Sequence, residues 1–168
     1  MGAESVTVCF TGNPNCGKTT LFNAYTGAGK KTANWPGVTV ALSEGSLMHR
    51  GRLVHLVDTP GIYSLDPYTM EETVTRQCIR DQKADVIIHV ADALLLERSL
   101  FLTMQLLAEG KPLVLALNMM DLVRERGMDI DIGRLSRLLG GIPVIPVSAR
   151  RRTGLEELMD AAVEAARA

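Results

Sequence analysis

One stretch limits this chain more than any other: Gly12-Asn13-Pro14-Asn15-Cys16-Gly17-Lys18-Thr19, set between an apolar run at 6–10 and a helical run beginning Thr20-Leu21-Phe22. Its spacing is G-x-x-x-x-G-K-[ST], the pattern of a P-loop that cradles phosphates. Gly12 and Gly17 let the backbone turn until successive N–H groups face one centre, and the following helix adds the positive end of its dipole. Lys18 then reaches the outer phosphates of a polyphosphate, and the Thr19 hydroxyl is a ligand for Mg²⁺. Asn13, Pro14, Asn15, Cys16, Gly17, Lys18, Thr19 and Thr20 are therefore the predicted phosphate-binding residues. The bland alternative is a glycine-rich turn before an ordinary helix. A strand before it and a helix after it argue against that.

Short apolar, β-branched runs alternate with longer amphipathic ones along the whole chain. Strands are predicted at 6–10, 38–48, 53–57, 86–91, 113–117 and 144–147. Helices are predicted at 17–26, in a segment ending near Lys83, and at 95–109, 132–139 and 155–166, with a loop over 27–37. Alternation of this kind gives an α/β fold with right-handed crossovers, a mostly parallel sheet and helices on both faces. The paired runs within 38–57 allow one antiparallel edge strand. Ligands of such sheets bind beyond the carboxyl ends of the strands, where the phosphate loop sits.

At 168 residues the chain fits one domain, 1–168, and its 46% hydrophobic and 22% charged residues are those of an ordinary globular protein. A net charge of −1 argues against a dominant nucleic-acid surface. Cys9, Cys16 and Cys78 are odd in number and widely spaced, which fits a reducing cytosol and offers no zinc framework. No apolar run approaches a membrane span, and no signal peptide is expected at the start.

Three further constellations follow predicted strands. Asp58-Thr59-Pro60-Gly61 places a carboxylate for the Mg²⁺ shell at Asp58 and a backbone donor for a terminal phosphate at Gly61. Elsewhere the same four residues would be a plain turn. Thr39, in Val38-Thr39-Val40, is the candidate second hydroxyl on the metal, with Thr32 as the alternative and a simple strand threonine as the bland reading. Asn118-Met119-Met120-Asp121 offers a carboxylate at Asp121 that accepts from the ring N–H and exocyclic amine of guanine, a donor pair adenine lacks. The usual motif is Asn-Lys-x-Asp. Here Met119 replaces the lysine and still covers the base face with a flexible, polarizable chain. Asn118 ties this loop to the phosphate loop, while Asp121 as a helix cap is the alternative. Ser148-Ala149-Arg150 supplies a backbone N–H for the guanine carbonyl. The run Arg150-Arg151-Arg152 invites an RNA reading, but three basic residues on a loop are more often a solvated surface.

In this order the motifs resemble the translation-factor-related small GTPases across nearly the whole chain. Closer still is the resemblance to the cytosolic GTPase domain of the ferrous iron transport protein B family. It is carried by residues 12–23, by Asn34-Trp35-Pro36-Gly37-Val38-Thr39-Val40, by 58–65, by Glu97-Arg98-Ser99-Leu100 and by 116–121 with its methionine at 119. The resemblance implies a six-stranded sheet, GTP and GDP as ligands with Mg²⁺, GTP hydrolysis, and coupling to Fe²⁺ uptake. It places the chain on the cytosolic face of a bacterial inner membrane, with a helical domain and a transmembrane region elsewhere in the full protein. It also implies a bound K⁺ at Asn15, although a tolerated loop residue is the alternative there.

Many GTPases orient the attacking water with a glutamine just after the Asp-x-x-Gly motif. Here that position is Ile62, and no arginine stands in an assignable finger position. Slow turnover is expected, resting on Lys18, Asn15, Thr39, the Gly61 N–H and Mg²⁺. Glu71 and Glu72 are read as solvated helix charges rather than water-placing groups. Two alternatives stand beside iron transport: a GTPase of ribosome or RNA maturation, and a nucleotide switch that recruits a partner without hydrolysis.

Overall fold

The computed structural model describes residues 4–81 and 84–167. Its sheet has seven strands in the order β2-β3-β4-β1-β5-β6-β7. They are β1 (Val6–Gly12), β2 (Lys31–Asn34), β3 (Ala41–His49), β4 (Arg52–Asp58), β5 (Val86–Asp92), β6 (Leu113–Asn118) and β7 (Val144–Pro146). Only β3 runs against the rest: it pairs antiparallel with β2 and β4, whereas β4-β1-β5-β6-β7 pair parallel. The helices are α1 (Lys18–Thr26), α2 (Met70–Arg80), α3 (Leu96–Ala108), α4 (Met120–Glu125), α5 (Ile132–Leu138) and α6 (Leu155–Arg167).

The α/β architecture with a mostly parallel sheet is the one expected, but the expected count of six strands becomes seven. The addition is β2, inside the predicted loop at 27–37. All four of its residues are exposed, so no alternation of apolar and polar side chains marks it. It is a strand because its backbone pairs with β3, Lys31 with Glu44 through Asn34 with Ala41. The third strand also starts later than 38. A turn at 36–37 intervenes, closed by the Trp35 N–H on the Val40 carbonyl at 2.8 Å. The second helix ends at Arg80, and its expected end near Lys83 lies outside the described residues.

Both faces of the sheet are covered, and β1 shows how. Val8 and Phe10 point into one core with Leu21 and Phe22 of α1 and Leu158 and Met159 of α6. Cys9 points the other way, into a core with Val74 and Ile79 of α2 and Leu102 and Leu106 of α3. A third cluster joins Leu115 and Leu117 of β6 to Val123 and Leu135 of α4 and α5. Each fully buried aliphatic or aromatic side chain contributes about 1.5–3 kcal/mol, which holds the strand ends that carry the motifs in fixed register. The α2 start is set locally by a capping box: Thr69 accepts from the Glu72 N–H, and the Glu72 carboxylate accepts from the Thr69 N–H at 3.0 Å.

Candidate nucleotide-binding site

At the carboxyl end of β1 the chain enters its phosphate loop under tight steric limits. A Cβ on Gly12 would stand 2.5 Å from the Val90 carbonyl oxygen of the neighbouring strand. Gly17 has φ of 85°, and a Cβ there would stand 2.2 Å from Nδ2 of Asn118, so conformation and space both demand glycine. Asn15 also takes a left-handed backbone, φ 66°, which asparagine tolerates better than most residues. A cavity of about 380 Å³ opens above the loop. Asn13, Pro14, Asn15, Gly17, Lys18, Thr19 and Thr20 line it, together with Gly61. Of the predicted phosphate residues, Cys16 alone turns its side chain away, into the core beneath the loop.

The Lys18 ammonium lies at the floor of the site, donating to the Asp58 carboxylate and to the Thr59 carbonyl. Both charged groups are largely buried, 7% and 10% exposed. Burial raises the Asp58 carboxyl above the ordinary carboxylate range, against the opposing pull of Lys18. The loop after Asp58 is laced to β1: the Thr59 N–H and hydroxyl both donate to the Phe10 carbonyl, at 3.2 and 2.7 Å, and the Ile62 N–H donates to the Gly12 carbonyl at 3.0 Å. Gly61 is pressed against the phosphate loop, where a Cβ would sit 3.0 Å from Pro14 Cα. The Ile62 side chain is buried in the core under α2 and α3, so it faces away from the cavity.

Thr19 lines this cavity, and Asp58 lies behind it, paired with the lining Lys18; a hydroxyl and a carboxylate are hard oxygen donors, a set that suits Mg²⁺. Thr39 is exposed in the turn before β3 and is not among the residues lining the cavity. Thr32 lies in β2, with its hydroxyl 2.9 Å from that of Ser43. Glu72 is occupied by the helix cap, accepting from the Tyr68 and Thr69 N–H groups at 2.9 and 3.0 Å. Glu71 is exposed in the first turn of α2.

On the other side of the loop, Asn118 connects three elements. Its Nδ2 donates to the Cys16 carbonyl at 3.0 Å, and its Oδ1 accepts from the Ala149 N–H at 2.9 Å. The expected tie to the phosphate loop is present, and the same side chain also holds the Ser148-Ala149 loop. Of the 148–150 loop expected to offer a backbone N–H to a guanine carbonyl, the Ala149 N–H is directed at Asn118 here. Met119 takes φ of 67° to turn the chain from β6 into α4, which places Asp121 in the first turn of that helix.

Arg150 is exposed, but the rest of the basic run is engaged. Arg151 reaches Asp121 and Glu125, and Arg152 donates to the Ala24 carbonyl near the end of α1 at 3.1 Å. A cation there complements the negative end of the helix dipole. Sequence reasoning missed these pairings, as it missed the stacking of Arg98, whose guanidinium carbon lies 4.7 Å from the Tyr63 ring centroid. Nothing in local composition signals either one, because the partners are distant in the chain.

The model of the family described as Ferrous iron transport protein B matches residues 6–162. The chain belongs to that family.

Its relatives include the Fe(2+) transporter FeoB of Legionella pneumophila (strain Paris), 47% identical over 151 residues, which are 88% of this chain and 20% of that protein. Among solved structures, GDP form I of the cytosolic domain of the T. maritima FeoB iron transporter is 40% identical with a TM-score of 0.95, covering 100% of this chain and 66% of that one. The FeoB G-domain from Methanococcus jannaschii is 39% identical with a TM-score of 0.86, covering 98% of this chain and 99% of that one. The chain thus spans about a fifth of the length of its curated FeoB relatives. Among the described residues, no helix is long and apolar enough to cross a membrane.

Proposed function

We propose that this chain binds GTP and GDP with Mg²⁺ and hydrolyses GTP slowly. In this reading it is the cytosolic switch of a ferrous iron transporter in a bacterial inner membrane, joined in the full protein to helical and transmembrane domains. The observation that carries the proposal is the Asn118 bridge, which ties the phosphate loop to the Ala149 loop at the start of the chain leading to Asp121. That is the relation a guanine nucleotide needs between its phosphates and its base. Solved relatives carry GDP in the same fold, the T. maritima cytosolic domain among them.

In the proposed reaction water attacks the γ-phosphorus, the bond to the β–γ bridging oxygen breaks, and GDP leaves. Lys18 exchanges its Asp58 and Thr59 partners for the β- and γ-phosphates, and the loop N–H groups with Gly61 hold the phosphate oxygens. Thr19, Asp58 and, after inward movement of its turn, Thr39 would hold Mg²⁺, which supplies neutralisation of the charge on the phosphate oxygens. Asn15 is the proposed K⁺ ligand. Asp121, Met119, Ser148, Ala149 and Arg150 form the base side.

Titration calorimetry with GDP, GTP, ADP and ATP tests the reading. Guanine nucleotides are expected to bind at least about a hundredfold more tightly, since a site built around a donor pair rejects ligands lacking it by large factors. Equal affinities overturn it. The buried Ile62 favours one second reading, a nucleotide switch with negligible hydrolysis. Phosphate release followed over hours separates the two.

A further inference from the structure

We infer that Arg151 is a positioning residue for base recognition, clamping the Asp121 carboxylate in the orientation that accepts both N–H groups of guanine. The inference rests on the guanine reading of Asp121 proposed above.

Its basis is a three-residue cluster. Arg151 Nε lies 3.3 Å from Asp121 Oδ2, and its terminal nitrogen donates to Glu125 Oε1 at 2.7 Å. Asp121 is 10% exposed, whereas Arg151 and Glu125 are 59% and 55% exposed. The guanidinium is therefore a bridge from solvent-facing Glu125 to the shielded carboxylate, one helical turn apart on α4. Its own backbone is fixed too: the Arg151 N–H donates to Ser148 Oγ at 3.1 Å, and the Ser148 and Thr153 backbones exchange hydrogen bonds at 3.1 Å. A planar fork anchored at both ends holds its neighbour's torsion better than a flexible ammonium would.

Room for the base remains. An ionised carboxylate has about four lone-pair positions, and the Arg151 Nε contact on Oδ2 takes up one of them. The acceptor-only carboxylate is the form that takes the ring N–H and the exocyclic amine together. Without the clamp, the carboxylate rotates, and the second of those two bonds suffers most.

The test compares GDP, inosine diphosphate and ADP binding by calorimetry for the wild type, Arg151→Ala, Arg151→Lys and Glu125→Gln. Inosine diphosphate keeps the ring N–H and carbonyl but lacks the exocyclic amine. Arg151→Ala is expected to weaken GDP about threefold to fivefold, the range of a partly exposed ion pair, and inosine diphosphate less than about twofold. The ratio of the two affinities falls. Arg151→Lys restores part of that ratio, Glu125→Gln lowers it more mildly, and the difference between wild type and Arg151→Ala shrinks at high salt. Equal losses for both nucleotides overturn the inference in favour of simple loop support. Tighter GDP binding by Arg151→Ala overturns it in favour of competition between Arg151 and the base. A wild type that prefers GDP to ADP with an unchanged Arg151→Ala sinks the positioning role alone. A wild type without that preference sinks the guanine reading beneath it as well.

Discussion

Asn118 Nδ2 donates to the Cys16 carbonyl at 3.0 Å, joining the end of β6 to the middle of the phosphate loop across 102 residues of sequence. Because Oδ1 of the same side chain takes the Ala149 N–H, one amide satisfies two buried backbone groups in two loops. Replacing it with alanine strands both groups. Each unpaired buried group costs about 1–3 kcal/mol, so Asn118→Ala is expected to lose about 2–6 kcal/mol of stability by urea unfolding. GDP affinity should fall at least about tenfold. Asn118→Asp, which keeps the acceptor and loses the donor, should fall between the two in stability; a fully stable Asn118→Ala contradicts the bridging role.

Restoring a glutamine at the water-orienting position of other GTPases is the obvious way to speed turnover, and the structure predicts that it fails here. Ile62 is 3% exposed and packs beneath α2 and α3. In Ile62→Gln the amide enters an apolar core and costs about 1–3 kcal/mol, visible as a lower Tm. Phosphate release should stay within about twofold of the wild type. A large acceleration means that the side chain has left the core and reached the cavity.

Asn15 faces the cavity on a left-handed backbone that aspartate also tolerates, so Asn15→Asp tests chemistry without disturbing the loop. GTP turnover is expected to be faster in potassium than in sodium for the wild type, with the difference lost or altered in the variant. Identical rates in the two salts reject a potassium role.

His89 gives a pH signature of its own. It is fully buried, and desolvation lowers its pKa from 6.5 to about 3. Its Nδ1 shares a 3.0 Å hydrogen bond with the Thr103 hydroxyl, which also lies 3.2 Å from the Ser99 carbonyl. The folded pKa lies below the unfolded one, so between about 3 and 6.5 the unfolded chain binds the proton more readily. The stability from neutral His89 is complete above that window and drains away as pH falls through it, by up to about 1.4 kcal/mol per unit. Denaturant midpoints measured from pH 7 to pH 4 should fall less steeply in His89→Gln than in the wild type. Parallel slopes remove His89 from the account.

Much of the site was legible because its chemistry is written in contiguous residues at strand ends. The spacing of Gly12, Gly17 and Lys18, the placing of Asp58 and the order of Asn118 and Ala149 all follow from short motifs on apolar strands. The structure brings residues 13–15 and 17–20 together with Gly61 around one cavity and ties Asn118 to the loop beneath it. What escaped was decided by partners far along the chain. The strand at Lys31–Asn34 has no apolar face and exists only through its ladder with β3. The same holds for Arg151, one of three adjacent arginines until the fold sets it beside Asp121. The Lys18 contact with Asp58 belongs there too, since each was assigned to a ligand rather than to the other.

The turn carrying Thr39 is moored at both ends, by Asn34 opposite Ala41 and by the Trp35 N–H on the Val40 carbonyl. It resembles a drawbridge hinged on a zipper. Travel beyond the slack of those few residues must unfasten the outermost teeth of the sheet. Drawing Thr39 toward a metal would then loosen a distant rim of backbone, and letting it go would refasten it. If Thr39 takes its proposed place on the metal, the edge of the sheet would register what fills the cavity, for any neighbour that touches only that rim.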